Sequence, residues 1–449
     1  MLITNGRVIT WEKPNRILEG YAVRIENDVI QEVDVQKNLM ERFPQDEVMD
    51  AKGQILMPGN ICAHTHFYGA FARGMYIPGA AAKDFPEILQ KLWFPLDLSL
   101  NMEDVRYSAL VSVVDAIRHG TTTLIDHHAS GNAIGGSLDE IASVIDESGI
   151  RASLCYEVTD RNGKENTLDG IKENVRFIEF VNKEKPLNGR LSALFGLHAS
   201  LTLSEESLDL CRDAAPDGTG FHVHVAEHFS DQYDSIAKSG TRVVDRLQKH
   251  GILGPKTIAV HGVHLDAREL QILAETGTWL THQPRSNMNN AVGVAAIEAA
   301  MRMGVKVGLG NDGMGNAMWE EWKNTYFIHK LEHRDPRRMP ATDIAQMAIY
   351  NNAALVNTLF PVTVGSVVPG AQADLILVDY HPYTPMTIDN LPWHIVFGFH
   401  ESMVTMTMVA GKVLMKDRQL LTLDEEKIAR YAAEKLVPQT WDRYHKRFN

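Results

Sequence analysis

The strongest constraint on this chain is an alternation that starts at residue 61 and runs for some 250 residues. Short apolar, β-branched runs are each followed by a longer amphipathic stretch. The runs predict strands at 61–66, 121–127, 151–156, 191–198, 220–225, 257–261, 278–282 and 305–310. The stretches between them predict helices at 102–119, 138–148, 170–182, 205–214, 242–249, 267–275 and 294–303. Period-2 runs alternating with helical periodicity are the pattern of strand–helix units with a parallel sheet. Eight such units predict an α/β chain built as a (β/α)8 TIM-type barrel. Helix ends carry their own signals. Asn101 precedes Glu103 and Asp104, so a side-chain cap and a favourable dipole meet at one terminus. Gly120 follows the other end, where a left-handed residue closes a helix.

Both flanks read as strands instead. Residues 1–10 break at Asn5-Gly6, and 21–25 and 29–33 flank Glu26-Asn27-Asp28 as a hairpin. No helix is expected before Pro58. Beyond a helical stretch at 342–357, short apolar runs at 365–368, 373–379, 403–410 and 412–415 return, and 424–436 is helical and amphipathic. The expected division is a small β-sandwich domain from 1–58 and 362–420, a barrel over 59–361, and a helical tail over 421–449. A length of 449 residues suits a large barrel with an accessory domain.

Composition narrows the partners. The net charge of −13 disfavours nucleic acid, which asks for a basic face. There is no run of apolar residues long enough for a membrane span and no basic, then apolar, leader at the start. Three cysteines with no CxxC pair exclude a disulfide framework and a cysteine zinc finger. A cytoplasmic protein acting on a small molecule, with no nucleic-acid or membrane partner, is the expectation.

The chemistry gathers where a barrel puts it, at the C-terminal ends of the strands. The first predicted strand ends in His64-Thr65-His66, the fourth in His198, the fifth in His222-Val223-His224 with Glu227 beyond, the sixth in His261, the seventh in His282, and the eighth in Asn311-Asp312. Any one of these histidines is explained as a packed core residue; six strands ending alike are not. Residues two apart on a strand share a face, so His64 and His66 both point inward. Imidazoles with one carboxylate are a ligand set for a divalent metal of the zinc or iron type. A metal so held lowers the pKa of a bound water from 15.7 to about 7.

The order and spacing of these motifs resemble the amidohydrolase superfamily. The matching residues are His64-Thr65-His66 after Met57-Pro58-Gly59, His224-Val225-Ala226-Glu227, His261-Gly262-Val263-His264 and Asn311-Asp312-Gly313. The chain looks most like the cytosine-deaminase and chlorohydrolase branch. The resemblance extends to Gly365-Ser366-Val367-Val368-Pro369-Gly370 and Ala373-Asp374-Leu375, in the family's small β domain. The segment from His66 to Gly74 with Ile77-Pro78-Gly79 is similar to aminohydrolases of the SsnA type, which implies purine or other heterocycle metabolism. The resemblance implies that His64, His66, His224 and Asp312 bind one metal, zinc being expected and ferrous iron the alternative. It implies that Glu227 shuttles protons and that His261 stands beside the attacking water. Asp312 is also expected to accept that water's proton. The fourth predicted strand holds no lysine or acid to bridge a second ion, which favours one metal.

The expected reaction is hydrolytic deamination of an amino-substituted, purine-like heterocycle with release of ammonia. The alternatives are dehalogenation or cyclic amide opening by the same site, or a metal-binding protein with no catalytic role. Substrate contacts are expected from His198, His282, Arg73, His128 and Trp93, and Trp319 is a further loop candidate. The loop after His282, Gln283-Pro284-Arg285-Ser286-Asn287, departs from the family's Asn-Pro-x-Ser-Asn pattern. His222 is read as a structural hydrogen-bonding residue and Asp126 as a strand-end acid with local bonds. Whether His127, His128, His222 and His264 enter the pocket is left open by the sequence. The resemblance also implies a homodimer with Trp93 near a neighbour's pocket.

Overall fold

A computed structural model describes residues 1–448. The alternating region forms two parallel sheets, one of four strands and one of five. In chain order the first holds β1 (Asn60–Thr65), β2 (Thr121–Asp126), β3 (Arg151–Leu154) and β4 (Leu191–Ala193), each paired with the next. The second holds β5 (Phe195–Ala199), β6 (Phe221–Val225), β7 (Ile258–His261), β8 (Trp279–His282) and β9 (Val307–Leu309), again paired in sequence order.

The single strand expected over 191–198 is therefore two. Leu194 breaks it: β4 pairs backward with β3 and β5 forward with β6. Gly196 lies where the two sheets meet. A Cβ there would stand 2.3 Å from the Tyr156 carbonyl oxygen, so only glycine admits this approach. A parallel bridge between Val158 and Leu197 spans the same point. At the other edges, the segment after β9 meets β1. The Asn311 and Asp312 amides both donate to the His64 carbonyl, at 2.9 and 3.1 Å, and Thr65 bridges Asp312. Gly310 makes this possible, because a Cβ on it would lie 2.7 Å from the His64 nitrogen.

The helices hold the sheets from outside. Met102–Arg118 starts with a capping box in which Asn101 and Asp104 satisfy each other's amides, as the sequence signals. It buries Val105, Ala109, Val113, Ala116 and Ile117, spaced three or four apart as one helix face requires.

The chain ends form two further sheets. One has four strands, 29–35, 21–26, 2–4 and 48–50; the other has seven, ordered 419–420, 412–416, 404–409, 375–378, 55–58, 7–9 and 17–18. The second is mixed, with Ile55–Pro58 antiparallel to Leu375–Val378 and parallel to Arg7–Ile9. Ile3, Val23 and Ile25 of one sheet and Val8, Leu56, Leu375 and Met406 of the other pack into one apolar cluster.

Three local expectations are corrected. Gln36–Arg42 is a helix before Pro58, short and anchored by Leu39 alone, which leaves too little apolar periodicity to read. Residues 365–368 are not a strand. Gly365 and Gly370 both take positive φ, and Val367 makes its backbone bond to Thr10 as an isolated contact. The tail helix does not stop at Leu436; a π turn over Ala432–Leu436 carries it on to Val437–His445. Among the described residues no helix is long and apolar enough to cross a membrane.

Candidate metal centre and active site

Three imidazoles and one carboxylate converge at the C-terminal ends of β1, β6 and β9. His66 Nε2 lies 2.9 Å from Asp312 Oδ1 and 3.1 Å from His224 Nε2. His64 Nε2 lies 3.3 Å from the same Asp312 oxygen. His64, His224, His261 and Asp312 form one group able to hold an ion, and His64, His66, His127 and His224 form another.

The other nitrogen of each ring explains why Nε2 faces the centre. His66 Nδ1 donates to the His127 carbonyl at 2.6 Å and His224 Nδ1 to the His198 carbonyl at 2.7 Å. A carbonyl only accepts, so both Nδ1 atoms carry the proton and both Nε2 atoms of the neutral rings offer lone pairs. Two lone pairs 3.1 Å apart repel unless a cation lies between them. His64 Nδ1 is 2.9 Å from His222 Nε2, and His222 Nδ1 is 3.6 Å from Cys155 Sγ, so the third ring is oriented by a buried relay. Such outer partners fix the tautomer of metal-ligating histidines. The donor set thus fits a divalent metal.

Charge gives the same reading, for without a metal the bond to Asp312 favours a proton on His66 Nε2 in the place a cation would take. Burial drives His64 down to about 3. Burial pulls His66 down as well, yet its bond to Asp312 prevails and raises it to about 9. Asp312 is itself buried, but its bonds to His64 and His66 hold its carboxylate well below the usual range. The cluster favours positive charge beside Asp312.

Around this centre stand two more groups. Glu227 lies past the end of β6, buried, with its carboxyl pushed well above the carboxylate range by burial and then by the Asp312 charge. Its surroundings favour the protonated form, the form that can donate a proton. Asn290 donates to Glu227 Oε1 at 3.2 Å. His261 Nε2 lies 3.4 Å from Glu227 Oε2 and 4.0 Å from Asp312 Oδ2. Its Nδ1 is 2.9 Å from Asn287 Oδ1, which accepts and so leaves Nε2 unprotonated in the neutral ring. The backbone is strained at these positions: Ala226, His261 and Asp312 have φ of +48°, +71° and +58°. Left-handed, non-glycine residues persist where surrounding structure fixes them, as at functional sites. Gln283 Oε1 accepts from the His261 amide, and the Ser286 hydroxyl donates to Asp312 Oδ2.

The remaining candidates divide. A cleft lined by His66, His224, Glu227 and Asp312 extends past His198, Tyr68, Phe94 and Trp93 to Asp97 and Arg161. A second cavity, of about 350 Å³, meets it at His66 and Asp312 and is lined by Arg73, Asp115 and Ser286. Trp93 separates the two. It borders both and packs on its own chain's Gly69 and Gly313, where added Cβ atoms would come within 3.4 and 3.2 Å of its ring. His282 and His128 line neither cavity. His282 Nε2 turns to His329 Nε2 at 3.3 Å, and His128 Nε2 to Ser130 Oγ at 2.9 Å. Trp319 is no loop residue but is fully buried on helix Met318–His333 against Phe399. His222 lies beneath the centre as a hydrogen-bonding residue, and Asp126 Oδ1 accepts from the Phe67 amide at 2.8 Å. His264 packs on Phe229, with ring centroids 3.8 Å apart, away from the cleft.

Sequence reasoning missed Glu157, Asp97, Arg161 and Asn290. Glu157 follows β3, fully enclosed, 3.3 Å from His127 Nδ1 and 4.0 Å from His224 Nδ1, and burial lifts its carboxyl to about 7. Tyr156-Glu157 carries no histidine to mark it. Ser286 and Asn287 had a signal, since they belong to the loop from Gln283 to Asn287 whose departure from the family pattern was visible.

A profile of the amidohydrolase family matches residues 55–414. A 5'-deoxyadenosine deaminase of Methanosarcina mazei is 33% identical over 445 residues, 97% of this chain and 98% of its own length. A 5-methylthioadenosine/S-adenosylhomocysteine deaminase of Acetivibrio thermocellus is 30% identical, covering 95% of this chain and 96% of its own. Among solved structures, an adenosine deaminase from Xanthomonas campestris with bound zinc superposes with a TM-score of 0.85 at 24% identity, over 99% of this chain and 98% of its own. The strand-end histidines and Asp312, the match through most of the chain and the full-length relatives agree: this chain belongs to the amidohydrolase family.

Proposed function

We propose that this protein is a mononuclear metal-dependent aminohydrolase that converts an adenine nucleoside to its 6-oxo form and ammonia. One observation carries the reading: the buried Glu227, whose carboxyl burial favours in the protonated form, stands 3.4 Å from His261 beside a cation-seeking cluster of His64, His66, His224 and Asp312. Deaminases of 5'-deoxyadenosine and of methylthioadenosine, similar to this chain along its length, support the substrate class. Likeness to the SsnA type rests on the segment from His66 to Gly79 and agrees with a purine-like ring.

Zinc is the ion we assign, as in the Xanthomonas structure, with ferrous iron the alternative. His64, His66 and His224 would hold it through Nε2 and Asp312 through Oδ1; when bound, it supplies an activated water. Glu227 donates its proton to the ring nitrogen beside the carbon that bears the amino group. Asp312, whose Oδ2 is fixed by Ser286, accepts the water's proton. His261, between the two carboxyl groups, orients the attack and stabilises the charge that develops. Glu227, left ionised, takes the remaining hydroxyl proton and passes it to the departing amine, and the proton held by Asp312 restores Glu227, so water and the amino compound give the oxo compound and ammonia.

The scaffold we assign is a closed (β/α)8 barrel over 59–361, with a β-sandwich from 1–58 and 362–420 and a helical tail over 421–449. The break between β4 and β5 and the Thr65–Asp312 bridge support closure at both seams. Buried, unpaired Cys62, Cys155 and Cys211 suit a reducing cytoplasm. Ammonia release from 5'-deoxyadenosine and adenosine by zinc-loaded protein tests the reading. A chloride-releasing or ring-opened product without ammonia would replace it with the dehalogenase or cyclic amidase alternative.

A further inference from the structure

A second set of metal-ligating side chains stands outside both cavities. His329 and His333 lie four residues apart on helix Met318–His333, so they share one face. Glu298 reaches them from the short helix Ile297–Arg302. One ligand atom from each of the three lies within 4.8 Å of the other two. The imidazole rings face the same way, 25° from parallel, with centroids 6.4 Å apart.

The state of the ring and carboxylate atoms points to a cation. His329 is fully buried, and its Nε2 lies 3.3 Å from His282 Nε2. Its Nδ1 is shut away from solvent with no hydrogen-bond partner among the described residues. One proton serves the pair of Nε2 atoms. With that proton on His329, Nδ1 of the neutral ring is a bare lone pair in the interior. Glu298 Oε1 accepts from the Met339 amide at 3.1 Å. Its Oε2 makes no hydrogen bond among the described residues; Arg338 Nε stands 2.9 Å away but is not aligned to donate. Buried polar atoms are nearly always paired, so a lone pair and a carboxylate oxygen left open in one group ask for a partner that accepts electrons from both. Burial draws His329 down to about 4, which favours the neutral ring that a metal requires.

The donor types decide which ion fits. Two imidazoles with a carboxylate suit zinc, copper or nickel, whereas magnesium and calcium ask for oxygen alone. Zinc holds such ligands at about 2.1 Å, so the three atoms must draw together. His333 is exposed at the end of its helix and has the freedom to turn inward. Three ligands with the charges of Arg338 and Lys330 close by hold an ion less tightly than the four ligands that include Asp312, so this site fills second.

We propose that Glu298, His329 and His333 form a second divalent transition-metal site, separate from the catalytic centre, that ties helix Ile297–Arg302 to helix Met318–His333. An ion on Nδ1 fixes His329 as the donor to His282.

The test titrates further zinc into the full-length protein already carrying one zinc, followed by calorimetry. One additional zinc per chain is expected, and excess magnesium should leave it in place. His333→Ala, at an exposed position, and Glu298→Gln, which keeps the acceptor for the Met339 amide, are each expected to weaken this second zinc about 10–100-fold or more, no less than the loss of an outer partner costs. Arg338→Gln removes a competing cation and is expected to tighten it about threefold. Thermal unfolding reads the same site without turnover: zinc beyond the first equivalent should raise the midpoint of the wild type and not that of His333→Ala. Absence of a second zinc in the wild type, a second zinc that survives both ligand substitutions, or one that magnesium displaces overturns the proposal.

Discussion

His64, His66 and His224 reach the centre through the same nitrogen because each Nδ1 already meets a neighbour: His222, the His127 carbonyl and the His198 carbonyl. The three ligands and Asp312 were legible in the sequence because HxH, HxxE and NDG are local patterns. Their orienting partners were not, since two of the three are backbone carbonyls that any residue supplies. His222 is the exception and is open to mutation. His222→Phe is expected to weaken zinc about 10–100-fold, read by competition with a chelator, while all four ligands remain. Glu227→Gln is expected to lower kcat about 10²–10⁴-fold at unchanged zinc content, measured by ammonia release. In the proposed reaction Glu227 acts as an acid, so kcat/KM should fall as pH rises through its elevated pKa and not before. A pH profile of the wild type checks this, and a rate that climbs through that range would assign the proton to another group.

The strand–helix alternation was legible because each element carries its own periodicity. The division of the fourth strand at Leu194 was not. Residues 191–198 read as one apolar run, and what breaks them is pairing to different neighbours, a long-range fact. The orphaned strand-three acid was invisible for a related reason: Glu157 becomes notable only when His127 and His224 are brought to it. Glycines at the seams are the elements' weak points. Gly310→Ala sets a Cβ against the backbone of β1 beside His64, and overpacking of this kind costs typically about 1–3 kcal/mol. The variant is expected to unfold at lower temperature and to lose zinc more readily, which thermal unfolding with and without chelator will show. Unchanged stability would mean that β1 and the segment after β9 do not pack at this distance.

Across the whole molecule, burial of acids sets the response to pH. Asp126, Glu157, Asp231 and Glu321 are each raised to about 7, burial being the first cause in every case. Their folded pKa values exceed the unfolded ones, so the native state holds more protons between about pH 4 and pH 7. Their contribution to stability is complete below the unfolded pKa and is lost as pH rises through about 7. Each group contributes a slope of up to about 1.4 kcal/mol per pH unit in that window. Asp126→Asn is expected to flatten the fall in unfolding midpoint between pH 5 and 7, at roughly fixed zinc saturation. An equally steep fall in the variant would assign the slope elsewhere. The central claim, however, is one metal serving one deamination. Zinc titrated into metal-free protein, with ammonia release from 5'-deoxyadenosine read at each step, tests it most directly. Activity should rise linearly and level off at one zinc per chain. Activity that appears only with a second equivalent, or zinc-saturated protein that releases no ammonia, would contradict it.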